Sequence, residues 1–197
     1  ADVVDILESS PDRIEPKCDV YGICGGCSFQ HLSSKNQINA KQSWLKSAFM
    51  GQAKIEPKKW LQPLQVESWG YRRKARLGVR YVEKKEKVLV GFRERKSSFI
   101  TVMSRCEVLH PSLGDNLELL GECIGKLSIK KYVPQIEVAI AELDTILILR
   151  HLEPMTKGDE SILKEYGDKL GITWYAQSGG LETIKPLNKA VSLTYVL

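Results

Sequence analysis

The spacing of apolar positions changes several times along the chain. From about Ser34 to Met50, Ile38, Leu45, Ala48 and Phe49 recur at helical intervals behind Ser33 and Ser34, whose hydroxyls can cap a helix start. Residues 71–82 alternate with period two. Val88–Phe92 alternates again after the charged turn Lys84-Lys85-Glu86-Lys87, which predicts a β-hairpin. Ser98–Met103 reads as a third strand. After Pro111 the run Leu113, Leu117, Leu120, Ile124, Leu127 is helical, with proline in the first turn, where its missing N–H costs nothing. Gln135–Ala141 and Thr145–Arg150 predict a second hairpin, with Leu143-Asp144 at its turn. Ser161–Leu170 reads as a helix closed by Gly171, and Ile172–Ala176 as a final strand. The order β-β-β-α-β-β-α-β predicts an α+β fold built on an antiparallel sheet, with a cysteine loop and an amphipathic helix ahead of it.

Length and composition fit this picture. With 197 residues, 43% of them apolar, the chain can bury a core as one domain with pieces of others attached. Asp2 to Leu7 reads as the end of a strand, followed by a Ser-Pro-Asp linker. The closing run Ala190–Leu197 reads as a strand awaiting a partner, so the expectation is an excised fragment. No stretch approaches the roughly 18 continuous apolar residues of a membrane helix, and no signal-peptide pattern opens the chain. The expected location is therefore cytoplasmic, with no membrane partner and the chain acting as a monomer. Five cysteines, an odd number, argue against a disulfide framework and for metal binding.

Charge is unevenly spread. The net charge is +5, but Gly70–Cys106 holds 12 Lys or Arg against 3 Glu, leaving the remainder acidic. In the strand starting at Tyr71, Arg72, Lys74, Arg76 and Arg80 occupy even positions and so share one face, about 6.6 Å apart at twice the strand rise. That spacing is close to the phosphate repeat of a nucleic-acid backbone. A solvated sheet face does not need one sign of charge, and uniform sign costs repulsion. The row therefore points to binding of an anion or of RNA, with Arg93 and Arg95 on the partner strand. Tyr71, Tyr81, Phe92 and Phe99 interleave with the cations and can either stack bases or pack inward.

Cys18, Cys24 and Cys27 form a C-x5-C-x2-C pattern threaded with Gly22, Gly25 and Gly26, and Cys106 arrives 79 residues after Cys27. Thiolates converge on one centre only where the backbone folds tightly, which glycines permit. A plant-type ferredoxin differs from this pattern by one residue. Tetrahedral zinc sites more often pair two C-x2-C knuckles, and only one occurs here. An iron–sulfur cluster is the favoured reading, zinc remains open, and spacing does not set the number of irons. Cys123, in a predicted helix, reads as a buried free thiol. His31, His110 and His151 read as packing or capping residues.

The segments Cys18–His31, Gly70–Leu77, Val90–Arg93 and Arg105-Cys106 with Pro111 beyond, and also Leu147–His151, resemble the 23S rRNA (uracil-5-)-methyltransferases of the RumA/RlmD type. The resemblance runs over nearly the whole chain. It implies a [4Fe–4S] cluster on Cys18, Cys24, Cys27 and Cys106. It also implies that the central domain helps hold a folded segment of 23S rRNA as partner, for which Arg72, Arg73, Lys74, Arg76, Arg80 and Arg93 are the candidate contacts. Residues 1–13 would be the remnant of a preceding TRAM domain and 14–33 the cysteine loop. Residues 34–52 would be a helix packing on an S-adenosyl-L-methionine-dependent methyltransferase domain that follows. Residues 53–190 would be a central RNA-binding domain, and 191–197 the start of the methyltransferase domain. The catalytic cysteine, the base and the glycine-rich loop for S-adenosyl-L-methionine have no counterpart in this sequence, so the fragment alone is expected to be inactive. A small iron–sulfur redox protein and a zinc-stabilised nucleic-acid-binding module are the alternatives.

Overall fold

The computed structural model describes residues 3 and 5–195. Helix α1 (Ser34–Ala48) starts where the hydroxyl pattern places it: the Ser33 side chain accepts from the Asn36 N–H, and a π-helical turn follows at Phe49–Ala53. The hairpin strands are β1 (Lys74–Val82) and β2 (Lys87–Gly91). A short α2 (Pro111–Gly114) and α3 (Leu117–Lys126) come next, then β3 (Gln135–Ile140), β4 (Thr145–Arg150), α4 (Lys157–Leu170), β5 (Ile172–Gln177) and a two-residue β6 (Lys185–Pro186). The six strands form one sheet in the order β2-β1-β3-β4-β5-β6.

Several expectations are corrected. The sheet is mixed: β4 and β5 pair in parallel, because α4 carries the chain back over the sheet between them. The predicted third strand, Ser98–Met103, does not join the sheet as a strand; it forms an Arg93–Ile100 bridge just beyond the end of β2. It crosses the outer face of the hairpin, where the Ile100 side chain fills the space that a Cβ on Gly78 would occupy. β1 begins at Lys74 rather than Tyr71, and Arg72 instead bridges in parallel to Leu109. The single helix expected over 113–127 is two, since the Asn116 N–H bonds back to Leu113 and closes the first. Helix α4 starts four residues early. Of the expected N-terminal strand, residues 2 and 4 lie outside the described residues; the others through Leu7 are not in a strand.

The core lies between the sheet and helices α3 and α4. Along β3 the burial alternates, with Ile136, Val138 and Ile140 inside. Across from them Leu147 and Leu149 of the central strand are fully buried. From α3, Leu117, Leu120, Cys123 and Ile124 face the same interior, and from α4, Leu163 and Tyr166. Fully burying one such side chain contributes roughly 1.5–3 kcal/mol. Cys123 is the inert thiol expected: burial pushes its pKa up to about 12, overriding the nearby Lys126. Helix α1 buries none of its residues, and Trp44, Leu45 and Met50 stay exposed.

A capping box starts α4. Thr156 Oγ1 accepts from the Asp159 N–H at 3.1 Å and the Asp159 carboxylate accepts from the Thr156 N–H at 2.9 Å. The same carboxylate accepts from the N–H and hydroxyl of Ser128, joining α4 to the turn after α3. Burial raises the Asp159 pKa, but the hydrogen bonds from Thr156 and Ser128 outweigh it and hold the carboxyl below its ordinary value. A depressed folded-state pKa means the stabilisation is present above the unfolded value, about 3.9, and is lost as pH falls through the folded one. Asp159→Ala is expected to cost about 1–2 kcal/mol at neutral pH and less below pH 4, read from urea melts across pH.

Candidate functional site

The cysteine loop is held by the basic segment. The Gly25 N–H donates to Arg93 O at 2.8 Å, and the Arg95 N–H donates to Ile23 O at 2.8 Å. A Cβ on Gly25 would stand 2.9 Å from Arg93 O, so only glycine lets the two backbones come this close. The guanidinium of Arg95 donates to Cys27 O at 2.6 Å and stands over the Tyr21 ring. That of Arg72 donates to Gly26 O at 3.2 Å and stacks on Phe92. On the other side of the loop the Cys18 N–H donates to the buried Gln30 Oε1 at 3.2 Å. Tyr21 OH and His31 Nδ1 lie 2.6 Å apart, so His31 packs and bonds within the loop. His110 caps α2.

Cys106 comes from a run docked beside residues 70–72, not from a strand end. The Gly70 N–H donates to Glu107 O, the Arg72 N–H to Val108 O and the Cys106 N–H to Gly114 O. The half-buried Glu107 accepts an ion pair from Lys17 at 2.6 Å and another from Arg105 at 2.8 Å. Lys17–Glu107 therefore ties the residue before Cys18 to the residue after Cys106.

These supports bring Cys18, Cys24, Cys27 and Cys106 around one cavity, with Phe92, Met103 and Val108 as its apolar wall. Cys24 and Cys106 are buried, and Cys18 and Cys27 are half-buried. The Gly26 N–H points at Cys24 Sγ, 3.4 Å away. Burial raises the Cys18 and Cys106 pKa values, and neighbouring cysteines raise them further. Among the described residues no three Cys, His, Asp or Glu side chains group closely enough to hold a single ion. The cavity is about 10 Å³, near the volume of one water. In donor chemistry the site fits an iron–sulfur cluster: four thiols, an apolar wall and an N–H directed at sulfur.

The six cations named for RNA divide by environment. Lys74, Arg80 and Arg93 are exposed. Arg76 is exposed but chelates Glu137 Oε1 with Nε and Nη2, at 3.2 and 2.9 Å, across the β1–β3 pair. Arg73 donates to Ala141 O at 2.8 Å and stands 3.8 Å from Glu142. Arg72 is spent on the cysteine loop. The face is also not one continuous row, since Gly78 separates Arg76 from Arg80 beneath Ile100. Sequence reasoning missed Glu107, Gln30 and the bracing role of Arg95; the charges flanking two cysteines in Lys17-Cys18 and Arg105-Cys106-Glu107 were the available signal.

No family model matches the chain. In fold it is similar to the Pyrococcus abyssi tRNA (uracil-54, C5)-methyltransferase solved with S-adenosyl-L-homocysteine. That superposition has a TM-score of 0.56 at 19% identity and covers 97% of this chain and 42% of that one. This chain thus shares its fold with part of that protein. In sequence the chain is homologous, end to end, to proteins named 23S rRNA (uracil(1939)-C(5))-methyltransferase RlmD. It is 62% identical to the one from Vesicomyosocius okutanii over 99% of this chain and 44% of that protein. It is 47% identical to that of Nitrosococcus oceani over 94% of this chain and 42% of that protein. The chain therefore spans less than half the length of the curated relatives it matches. Among the described residues no helix is long and apolar enough to cross a membrane.

Proposed function

We propose that this chain is the iron–sulfur and RNA-holding portion of a methyltransferase that uses S-adenosyl-L-methionine to form 5-methyluridine in 23S rRNA. The homology of nearly this whole chain to part of the proteins named RlmD carries this reading. Cys18, Cys24, Cys27 and Cys106 would hold a [4Fe–4S] cluster, whose iron–thiolate bonds supply a cross-link between the loop and the sheet. The braces from Arg72, Arg95 and the Lys17–Glu107 pair hold the two sides together at the same place. Lys74, Arg80 and Arg93 neutralise phosphates, with Arg76 and Arg73 contributing where the RNA competes for their carboxylates.

Methyl transfer is assigned to the rest of the protein, because no glycine-rich loop for the methyl donor follows a strand here. The open apolar side of α1 packs against that catalytic portion. The protein works as a cytoplasmic monomer. Residues 1–13 belong with the TRAM domain and 191–197 with the methyltransferase domain; residues 1, 2, 4, 196 and 197 lie outside those described.

Salt dependence tests the RNA half of this reading. Binding of the chain to 23S rRNA fragments is expected to weaken linearly in log salt. The triple variant Lys74→Ala, Arg80→Ala, Arg93→Ala should flatten the slope by about 2, at roughly 0.7 for each single-strand phosphate left without its cation. An unchanged slope would remove these residues from the interface.

A further inference from the structure

At the far end of β1 the sheet's outer face opens into a groove of about 810 Å³. Phe99 and Tyr132 stand along it, 71% and 47% exposed. Leu152, 61% exposed, adds a third apolar edge. Arg80 and Lys84 line the same groove. The one acid there, Glu83, is answered by Lys131 at 2.7 Å, so the wall's net charge stays positive. Lys131 also stands over the Tyr81 ring, 5.5 Å from its centroid, which helps fix the groove's floor.

Exposed rings beside cations suit a polyanion whose bases are free to stack. A duplex keeps its bases stacked inside and presents only its backbone and groove edges, so Phe99 and Tyr132 would gain nothing from it. Positive charge likewise disfavours an apolar protein helix as occupant. Resting on the RNA-binding reading above, we propose that this groove takes an unpaired stretch of the RNA substrate, with bases stacked on Phe99 and Tyr132 and phosphates beside Arg80 and Lys84. The 98–103 segment, which leaves the sheet to cross its outer face, is what lifts Phe99 to the groove's edge.

The test uses the protein with single-stranded and hairpin 23S rRNA oligonucleotides, some carrying 5-iodouridine. Irradiation is expected to crosslink the single strand to peptides containing Phe99 or Tyr132. Phe99→Ala and Tyr132→Ala should each weaken single-strand binding roughly tenfold without changing the salt slope, since a ring carries no charge. Phe99→Trp should restore affinity, and because both rings are exposed, melting temperatures should not move. Arg80→Ala should do the reverse of the ring variants and lower the slope. If the wild type binds RNA while the ring variants bind equally well, or if crosslinks fall elsewhere, the groove assignment is overturned and the broader reading stands. If the wild type binds no RNA at any salt concentration, the broader reading fails with it.

Discussion

Cys106→Ser is expected to empty the cysteine centre. Purified without oxygen, the wild-type chain should carry about four iron and four sulfide and absorb in the visible. The variant should carry neither, because the remaining three thiols sit on one loop while Cys106 alone comes from the run docked beside residues 70–72. Losing a cross-link that closes a 79-residue interval should also destabilise the fold. By analogy with a disulfide of that span, the loss is on the order of 4 kcal/mol. Cys123→Ala is the control: that thiol faces the core from α3, away from the cavity, and its loss should leave iron content unchanged. Iron, sulfide and zinc assays decide the matter. A colourless wild type with one zinc would replace the cluster with a zinc site, and full iron in Cys106→Ser would remove Cys106 from the ligand set.

The second large effect lies in the core. Trp174 in β5 is 1% exposed and pairs in register with Leu147 of the central strand. Helix α4 comes so near that a Cβ on Gly167 would stand 3.1 Å from the indole. Trp174→Ala leaves a cavity that this close packing cannot collapse to fill, with an expected cost of about 3–5 kcal/mol. For a chain of this size that lowers the melting temperature by roughly 10 °C. Trp174→Phe should cost much less. Among the described residues the indole N–H has no hydrogen-bond partner, and removing it relieves a buried unpaired donor. Calorimetry of the two variants checks both, and equal losses would show that the cost does not come from the cavity left by the ring.

Local signals are legible where a neighbour in sequence settles the structure. The Ser33 cap, the Gly171 stop, Pro111 in a first turn and the β3–β4 hairpin all depend on contacts within a few residues. Ser98–Met103 has the same alternation as a true strand. It pairs only at the Arg93–Ile100 bridge, where the Thr101 N–H bonds Phe92 O, and then runs across the hairpin with Ile100 seated over Gly78, a long-range contact that alternation does not encode. The cationic row is exposed at Lys74, Arg76 and Arg80, as alternation predicts. Alternation misplaces its end at Arg72, because the pattern cannot tell that a guanidinium will be drawn to a loop carbonyl 46 residues away.

Residue chemistry is legible without any fold: four candidate thiols, a cation-rich segment, a fifth cysteine in an apolar helix, and the α+β order of most elements. Each follows from composition or short-range spacing, which need no long-range contact. Long-range packing brings the cysteines to one cavity, sets Arg72 and Arg95 as braces of their loop, runs β4 and β5 parallel, and places Phe99 and Tyr132 in a groove with Arg80. Those outcomes depend on which distant segments come together, and that choice is made by burial and hydrogen-bond completion across the whole chain.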